Sequence, residues 1–332
     1  MTETPAVSVI IAAYNAAAYL DRALASARTQ TLAEVEILIV DDASTDDTLQ
    51  IARRHAEVDS RVTVFSQPVN AGPGAARNVG LVQARGEWIA MLDADDAFTP
   101  DRLAVLTRAA RAGGVDMIAD DLTVQVPGAP DRRLLFSERS PEPFRIETLE
   151  FIAANRGRRA QDRVLLGFLK PLIRREFLVN NGLRYHGLRL AEDYFLYLEL
   201  LLHGAFWLAV PDSFYLYTIR QDSLTATFSP AELDAMAEVD RVILERFGLN
   251  GHRLEAAAVR RHRREVMRAA AWTRFVSAIR RRDGPESMRL LFSGRQALAG
   301  ILVEGAAALP RVFERSLKPR RTLRAQDDNP PR

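Results

Sequence analysis

The sequence predicts an α/β fold, a doubly wound sheet followed by a C-terminal helical extension. Three observations carry the prediction. Short β-branched runs alternate with amphipathic stretches four times in the first hundred residues, the pattern of βαβ units. Polar clusters stand where three of those runs end, at Tyr14-Asn15, Asp41-Asp42 and Asp93 to Asp96. Beyond Pro230 the strand signals stop and only helical periodicity remains. Polar strand ends on one edge of an open α/β sheet define a ligand cleft.

Taken in order, Val7 to Ala13 is a first strand, apolar enough to be buried on both faces. A helix over about 18–29 follows, with Leu20, Ala23, Leu24 and Ala27 on one face. Val35 to Val40 is the second strand, and Ser44 or Asp46 caps a helix running to about Glu57. Arg61 to Phe65 is the third strand. Residues 67–74, rich in Pro and Gly, form a loop before a helix over Ala75 to Ala84. Glu87 to Leu92 is the fourth strand and runs straight into Asp93, Asp95 and Asp96. Pro100 to Ala112 reads as a helix, and Val115 to Ala119 as a strand entering Asp120-Asp121. The four prolines between 126 and 143 mark a loop or irregular hairpin. Thr148 to Asn155 is a short helix, and Leu165 to Leu178 holds a strand-like piece and a short helix. Ala191 to His203 is a helix stopped by Gly204, with Glu192 and Asp193 where the dipole favours acids. Phe206 to Val210 and Phe214 to Ile219 read as two strands joined by Pro211-Asp212. Helices over Pro230 to Phe247, Arg253 to Arg282 and Glu286 to Val303 follow, then a disordered tail from Pro319.

Composition narrows the chemistry. The 332 residues include no cysteine, which excludes disulfides and thiolate metal sites, and the five histidines are scattered. Net charge is only +2, and the cations are almost all arginine, with lysine at Lys170 and Lys318 alone. Arginine suits phosphate and carboxylate recognition. Arg260, Arg261, Arg263, Arg264, Arg268, Arg280, Arg281 and Arg282 crowd the last third, beside Val266, Met267, Trp272, Phe275, Val276 and Ile279. Such a helix either lies on anionic lipid or packs on the protein with a solvated face. Sparse aromatics and a small net charge argue against nucleic acid. Met1 to Pro5 lacks a basic leader, and no apolar run reaches the roughly 18 residues of a membrane span. The expectation is a cytoplasmic protein, peripheral on the membrane's inner face.

Asp93, Asp95 and Asp96 repel one another. Crowding them at a strand end suits a hard divalent cation, Mn2+ or Mg2+, which takes oxygen ligands and shares them with phosphates. A solvated turn capping the next helix, with Pro100 at its first position, is the other reading.

Four blocks together resemble the family 2 glycosyltransferases. They are Val7-Ser-Val-Ile-Ile-Ala-Ala-Tyr-Asn15, Glu36-Ile-Leu-Ile-Val-Asp-Asp-Ala-Ser-Thr-Asp46, Asn70-Ala-Gly-Pro-Gly-Ala-Ala-Arg-Asn-Val-Gly80 and Leu92-Asp-Ala-Asp-Asp96. A fifth, Ala191-Glu-Asp-Tyr194, resembles that family's acidic catalytic motif. The segments Gly167 to Leu178 and Leu188 to Tyr197 look like the bacterial members that build succinoglycan-type exopolysaccharide. Ala13 stands where the family often has Pro, and the Gln-x-x-Arg-Trp motif of processive synthases is missing. The resemblance therefore implies a GT-A fold, inversion, a nucleotide-sugar donor and the addition of one sugar. It implies a catalytic domain over 1–225, with a nucleotide-binding half (1–100) and an acceptor half (101–225), a helical extension over 226–318 and a tail over 319–332.

The resemblance also assigns residues. Ala12, Tyr14 and Asp41 meet the base, expected to be uracil because an acid at Asp41 can accept from its N3–H; Asp93 meets the ribose and Asp95 the metal. Arg77 is a candidate for the diphosphate or the base region, as a guanidinium fork, and Arg220 for the diphosphate, or both are surface arginines. Asp193 is the base that deprotonates the acceptor hydroxyl, with Glu192 in support; Asp120 and Asp121 are the other acids of the second half. The acceptor is a saccharide, free or carried on lipid. A nucleotidyltransferase would want a Gly-rich basic loop after the first strand, where Ala12-Ala-Tyr-Asn-Ala-Ala17 stands. A non-catalytic nucleotide-sugar-binding protein would not need acids at Asp93, Asp95 and Asp193.

Overall fold

The computed structural model describes residues 4–126, 130–133, 142–155, 166–219, 229–248, 251–292, 298 and 302. The nucleotide-side elements are β1 (Val7–Ala13), α1 (Leu20–Arg28), β2 (Val35–Asp41), α2 (Thr48–Val58), β3 (Val62–Ser66), α3 (Pro73–Gln83) and β4 (Trp88–Met91). There follow β5 (Ala97–Phe98), α4 (Arg102–Gly113), β6 (Met117–Gln125), β7 (Arg132–Arg133), β8 (Phe144–Arg145), α5 (Thr148–Ala154), β9 (Leu172–Arg174), α6 (Arg175–Asn180), α7 (Glu192–Leu202) and β10 (Trp207–Thr218). Three helices come last, α8 (Pro230–Phe247), α9 (Arg253–Arg280) and α10 (Gly284–Phe292).

One sheet runs in the order β3-β2-β1-β4-β9-β6-β10-β5, with β7 beside β6 and β8 beside β10. β3, β2, β1 and β4 are parallel. All of β2 is buried, and all of β1 except half-buried Ala12, which is why both read as continuous apolar runs. β9 is antiparallel to β4 on one side and to β6 on the other, so the sheet is mixed. This inversion has a local consequence. Leu172 pairs with Ala90 and Arg174 with Trp88, so the chain enters β9 at the edge where β4 leaves. The residues just before β9 are thereby delivered beside the acids just after β4.

The segments expected as two strands joined by Pro211-Asp212 are one strand, β10. A hairpin would reverse the chain, but both halves of β10 lie parallel to β6, with register shifts on either side of Ser213. Pro211 has no N–H to give, so the ladder is interrupted and the strand bulges without turning. The helix expected to reach Val303 is described from Gly284 to Phe292, and the expected tail lies outside the described residues.

The chain divides into two compact units, 1–263 and 264–332, with α9 crossing the boundary. In the first unit, α8 starts with a reciprocal capping box of Ser229 and Glu232. Its buried Asp240 pairs with His262 at 2.8 Å, and the His262 ring lies 5.0 Å from that of Tyr194 on α7. In the second unit, Trp272 and Phe275 bring their rings to 6.2 Å on one stretch of helix.

Candidate active site

The site forms at the carboxyl edge of the sheet. At the end of β2, Asp41 is buried; its Oδ2 accepts from the Ser44 N–H at 3.3 Å and from Ser66 Oγ at 3.4 Å. Its Oδ1 is buried and accepts no hydrogen bond among the described residues. A buried acceptor left so costs about 1–3 kcal/mol, which a ligand donor would recover. Asp42 is different. It accepts from the Gln67 amide at 2.6 Å and from the N–H groups of Ala71 and Gly72 at 2.9 and 2.8 Å, so it pins the loop before α3.

Tyr14, just past β1, is 50% exposed, and Ala12 shares its face of the strand. The turns after β1 and β2 are laced together. The Asn15 N–H donates to Ser44 Oγ at 3.0 Å, and Asn15 Oδ1 accepts from the Thr45 N–H at 2.8 Å. Both turns hold a residue in the left-handed region, Asn15 (φ 47°) and Ala43 (φ 59°), and Ala191 at the start of α7 is a third (φ 64°). An alanine there costs roughly 1–2 kcal/mol, and such strain collects where the chain must present particular groups.

The acids after β4 diverge. Asp96 turns inward, accepting from the Tyr215 hydroxyl and the Thr218 N–H, each at 2.8 Å. Burial, with the charges of Asp93 and Asp95 added, holds its carboxyl well above the usual range. Asp95 stays half-buried at the edge. Asp93 points toward α3 and α7.

There two buried cations meet three carboxylates. Arg77, on α3, hydrogen-bonds Glu192 and reaches Asp93 at 2.7 Å, with Asp193 at 3.5 Å and the Tyr185 ring 5.3 Å away. Gly74 lets α3 come this close, since a Cβ there would sit 2.7 Å from the His186 carbonyl. Lys170 Nζ lies 2.5 Å from Asp193 Oδ2 and 3.0 Å from Asp93 Oδ2. Burial opposes charge on Asp93, but Lys170 and Arg77 outweigh it and hold its carboxyl far below the usual range. Burial likewise opposes charge on Lys170, and Asp193 and Asp93 overcome it, so the ammonium stays protonated. Glu192 goes the other way, pushed up by burial and by Asp193 against the pull of Arg77.

Asp93, Arg77, Glu192 and Asp193, read from separate segments, are thus brought together. Arg77 was read as a candidate diphosphate fork; its guanidinium is buried and engaged by carboxylates. Arg220 lies outside the described residues. Asp120 is closed off by the Arg102 guanidinium, and Asp121 is fully buried with a carboxylate oxygen 2.7 Å from the Leu122 N–H. Sequence reading missed Lys170. Its signal was composition, a single lysine before Lys318 in a chain of arginines.

Among the described residues, no group of three or more His, Asp or Glu is arranged around a common cation position. Mg2+ and Mn2+ need no such cage when substrate phosphates complete the shell. The edge-lying Asp95, with Asp93 close by and both near enough to Asp96 to help raise its carboxyl, fits that role.

The sheet order and the acids on its carboxyl edge are those of the GT-A fold. The crystal structure of S. aureus TarS 1–349 in complex with UDP-GlcNAc has this architecture, with a TM-score of 0.61 at 23% identity over 88% of this chain and 81% of that one. Mannosyltransferase PcManGT from Pyrobaculum calidifontis, in complex with GDP-Man and Mn2+, aligns with a TM-score of 0.55 at 19% identity, over 95% and 84%. The chain belongs to glycosyl transferase family 2. Residues 8–158 match that family's model. The succinoglycan biosynthesis protein ExoO of Rhizobium meliloti (strain 1021) is 34% identical over 319 residues, 96% of this chain and 90% of the relative.

Proposed function

We propose that this glycosyltransferase is inverting and metal-dependent, and that it moves one sugar from a UDP-sugar to a saccharide acceptor. The observation that carries the reading is the convergence of Asp93, after β4, and Asp193, at the start of α7, on one cluster at the sheet edge. A single displacement needs leaving-group contacts on one side of the anomeric carbon and a base on the other, from different segments. Asp41 Oδ1 accepts from the base N–H, the open face of Tyr14 stacks on the base beside Ala12, and Asp93 takes a ribose hydroxyl. Asp193 removes the acceptor proton, and Glu192 is held by Arg77 beside it. Arg77 keeps the donor and acceptor acids in register; Arg220 is left for the diphosphate. Asp95 would hold Mn2+ or Mg2+, which supplies Lewis-acid stabilisation of the leaving diphosphate when bound. The nucleotide-sugars in the TarS and PcManGT complexes, and Mn2+ in the latter, support this assignment of ligands.

The likeness to ExoO supports a pathway, exopolysaccharide or cell-surface glycan synthesis, in which the acceptor is a lipid-linked oligosaccharide. No helix among the described residues is long and apolar enough to cross a membrane, so contact with such an acceptor's bilayer would be peripheral, through the arginines of α9. Flotation with anionic liposomes reads this directly. Binding at low salt that is lost at high salt is expected, and no binding at low salt removes the membrane contact.

The test of the function is nucleotide-sugar hydrolysis by the purified protein with Mn2+ or Mg2+, screened across UDP- and GDP-sugars. Asp193→Asn should lower turnover by roughly two to four powers of ten, the usual share of a general base, and leave UDP affinity near wild type. Normal turnover by Asp193→Asn would overturn the base assignment. No turnover of any donor by the wild-type protein would overturn the activity.

A further inference from the structure

We propose that Lys170 is the positioning residue for Asp193, occupying Oδ2 so that Oδ1 alone is presented to the acceptor hydroxyl. The inference rests on Asp193 being the base. Its geometry is distinct from that reading. Lys170 Nζ lies 2.5 Å from Asp193 Oδ2, while Asp193 Oδ1 is buried and accepts no hydrogen bond among the described residues. Arg77 Nη1 stands off from Oδ1 at 3.5 Å, near enough to favour its charge and too far to occupy it. A carboxylate oxygen already bonded to an ammonium is the poorer acceptor, so the bare oxygen is the favoured place for a further proton.

The lysine is itself held at both ends. Its backbone is fixed from the scaffold side, where Arg102, paired to Asp120, donates from Nη2 to the Lys170 carbonyl at 2.5 Å. Its head reaches Asp93 at 3.0 Å as well as Asp193, so one side chain sets the distance between the donor-side acid and the base. An ammonium suits this task. Its three donors radiate from one compact centre, so a single nitrogen meets carboxylates on different elements. A lysine at 170, in a chain with Lys318 as its only other, is consistent with that demand.

In the transfer step the acceptor O–H bond breaks as its oxygen bonds the anomeric carbon. The bond from that carbon to the diphosphate oxygen breaks, and its electron pair leaves on the diphosphate. The proton goes to Asp193 Oδ1. Lys170 stays protonated throughout and neither gives nor takes a proton. The other groups facing Asp193 are Arg77 from α3, Glu192 from α7, Asp93 after β4, and the hydroxyls of Tyr185 and Tyr197, which burial foremost and the Asp193 charge keep protonated.

The experiment is the pH dependence of kcat for nucleotide-sugar hydrolysis, water standing in for the acceptor, in Lys170→Met, Lys170→Arg, Asp193→Asn and the Lys170→Met/Asp193→Asn double variant. Lys170→Met should lower kcat about tenfold to a hundredfold, the usual effect of removing an orienting partner, and raise KM for the donor by less than that, through the lost contact with Asp93. Its acid limb should move to higher pH, because the lost positive charge no longer favours the carboxylate. Lys170→Arg should return the limb toward its original place and recover part of kcat. The double variant should be no slower than Asp193→Asn alone, since a residue acting through Asp193 has nothing left to position. An unmoved acid limb, or losses that multiply in the double variant, would overturn the proposal. If Lys170→Met does not fold, Lys170→Gln keeps a donor without the charge and reads the same limb. Normal turnover by Asp193→Asn would instead sink the base assignment, a separate failure.

Discussion

Arg77 and Arg102 are both buried beside carboxylates, yet they sit in opposite kinds of network. Arg102 meets one acid. It forks onto Asp120 at 2.8 and 3.1 Å, and packs against the rings of Phe98 at 4.5 Å and Tyr215 at 5.2 Å. Asp120 also accepts from the Phe214 N–H at 2.9 Å. One charge cancels one charge. Arg77 meets three acids and shares two with Lys170, so two cations face three carboxylates, and an Asp193 oxygen is left bare. The closed pair ties α4, β6 and the Lys170 backbone into a scaffold. The open cluster keeps surplus negative charge and an unused acceptor, the condition of a site that still has ligands to bind.

The largest effect should come from the open side. Asp95→Asn is expected to abolish transfer and to weaken UDP binding in Mn2+, with the far-UV circular dichroism unchanged, and excess EDTA should do the same to the wild type. Full activity in EDTA would break the view that the surplus acids await a cation.

On the closed side the loss should be one of folding. Asp120→Ala strands a buried guanidinium and should cost about 3–5 kcal/mol in urea unfolding. Replacing both partners, Arg102→Met with Asp120→Leu, should recover part of that, because no buried charge is then left unpaired, while the bonds to the Lys170 carbonyl and from the Phe214 N–H are lost. A double variant as unstable as Asp120→Ala would mean that the stranded charge is not what destabilises the single variant.

A smaller effect sharpens the comparison at a third, also closed, network. Glu36 accepts from Ser8 Oγ at 2.6 Å, from the Arg85 N–H at 2.7 Å and from the Arg85 guanidinium at 2.9 and 2.7 Å. Burial opposes its charge, but these donors win and its folded pKa lies below the ordinary 4.5. The unfolded chain therefore binds the proton first. The stability Glu36 contributes is complete above about pH 4.5 and is lost as the pH falls through the lower, folded value. The urea midpoint should drop on acidification through that window, and Glu36→Gln should flatten the slope. An unchanged slope would remove Glu36 from the closed class.

Much of the site was legible because strand ends are local features. Tyr14, Asp41 and Asp93 follow apolar runs whose length and composition mark where a buried strand stops, and Glu192-Asp193 open a helix. What local reading could not do was distinguish neighbours. Asp41 and Asp42 look alike in sequence, but Asp42 spends its oxygens on the 67–72 loop while Asp41 keeps one bare. Arg77 looked like a fork for a diphosphate because nothing near it in sequence reveals the three acids that surround it. Pro211-Asp212 looked like a turn because the parallel partner that keeps β10 running forward, β6, is far away in the chain.

The sequence by itself determined the first four strands, the three helices between them and the acids at the strand ends, since burial periodicity and strand termination act over a few residues. Only the tertiary structure decided which acid meets which cation. Inserting β9 antiparallel between β4 and β6 carries Lys170 to the edge where Asp93 lies, and places it 2.5 Å from Asp193, 23 residues on in the chain. Strand order is a long-range choice made by the packing of the whole sheet, and no short window of sequence contains it.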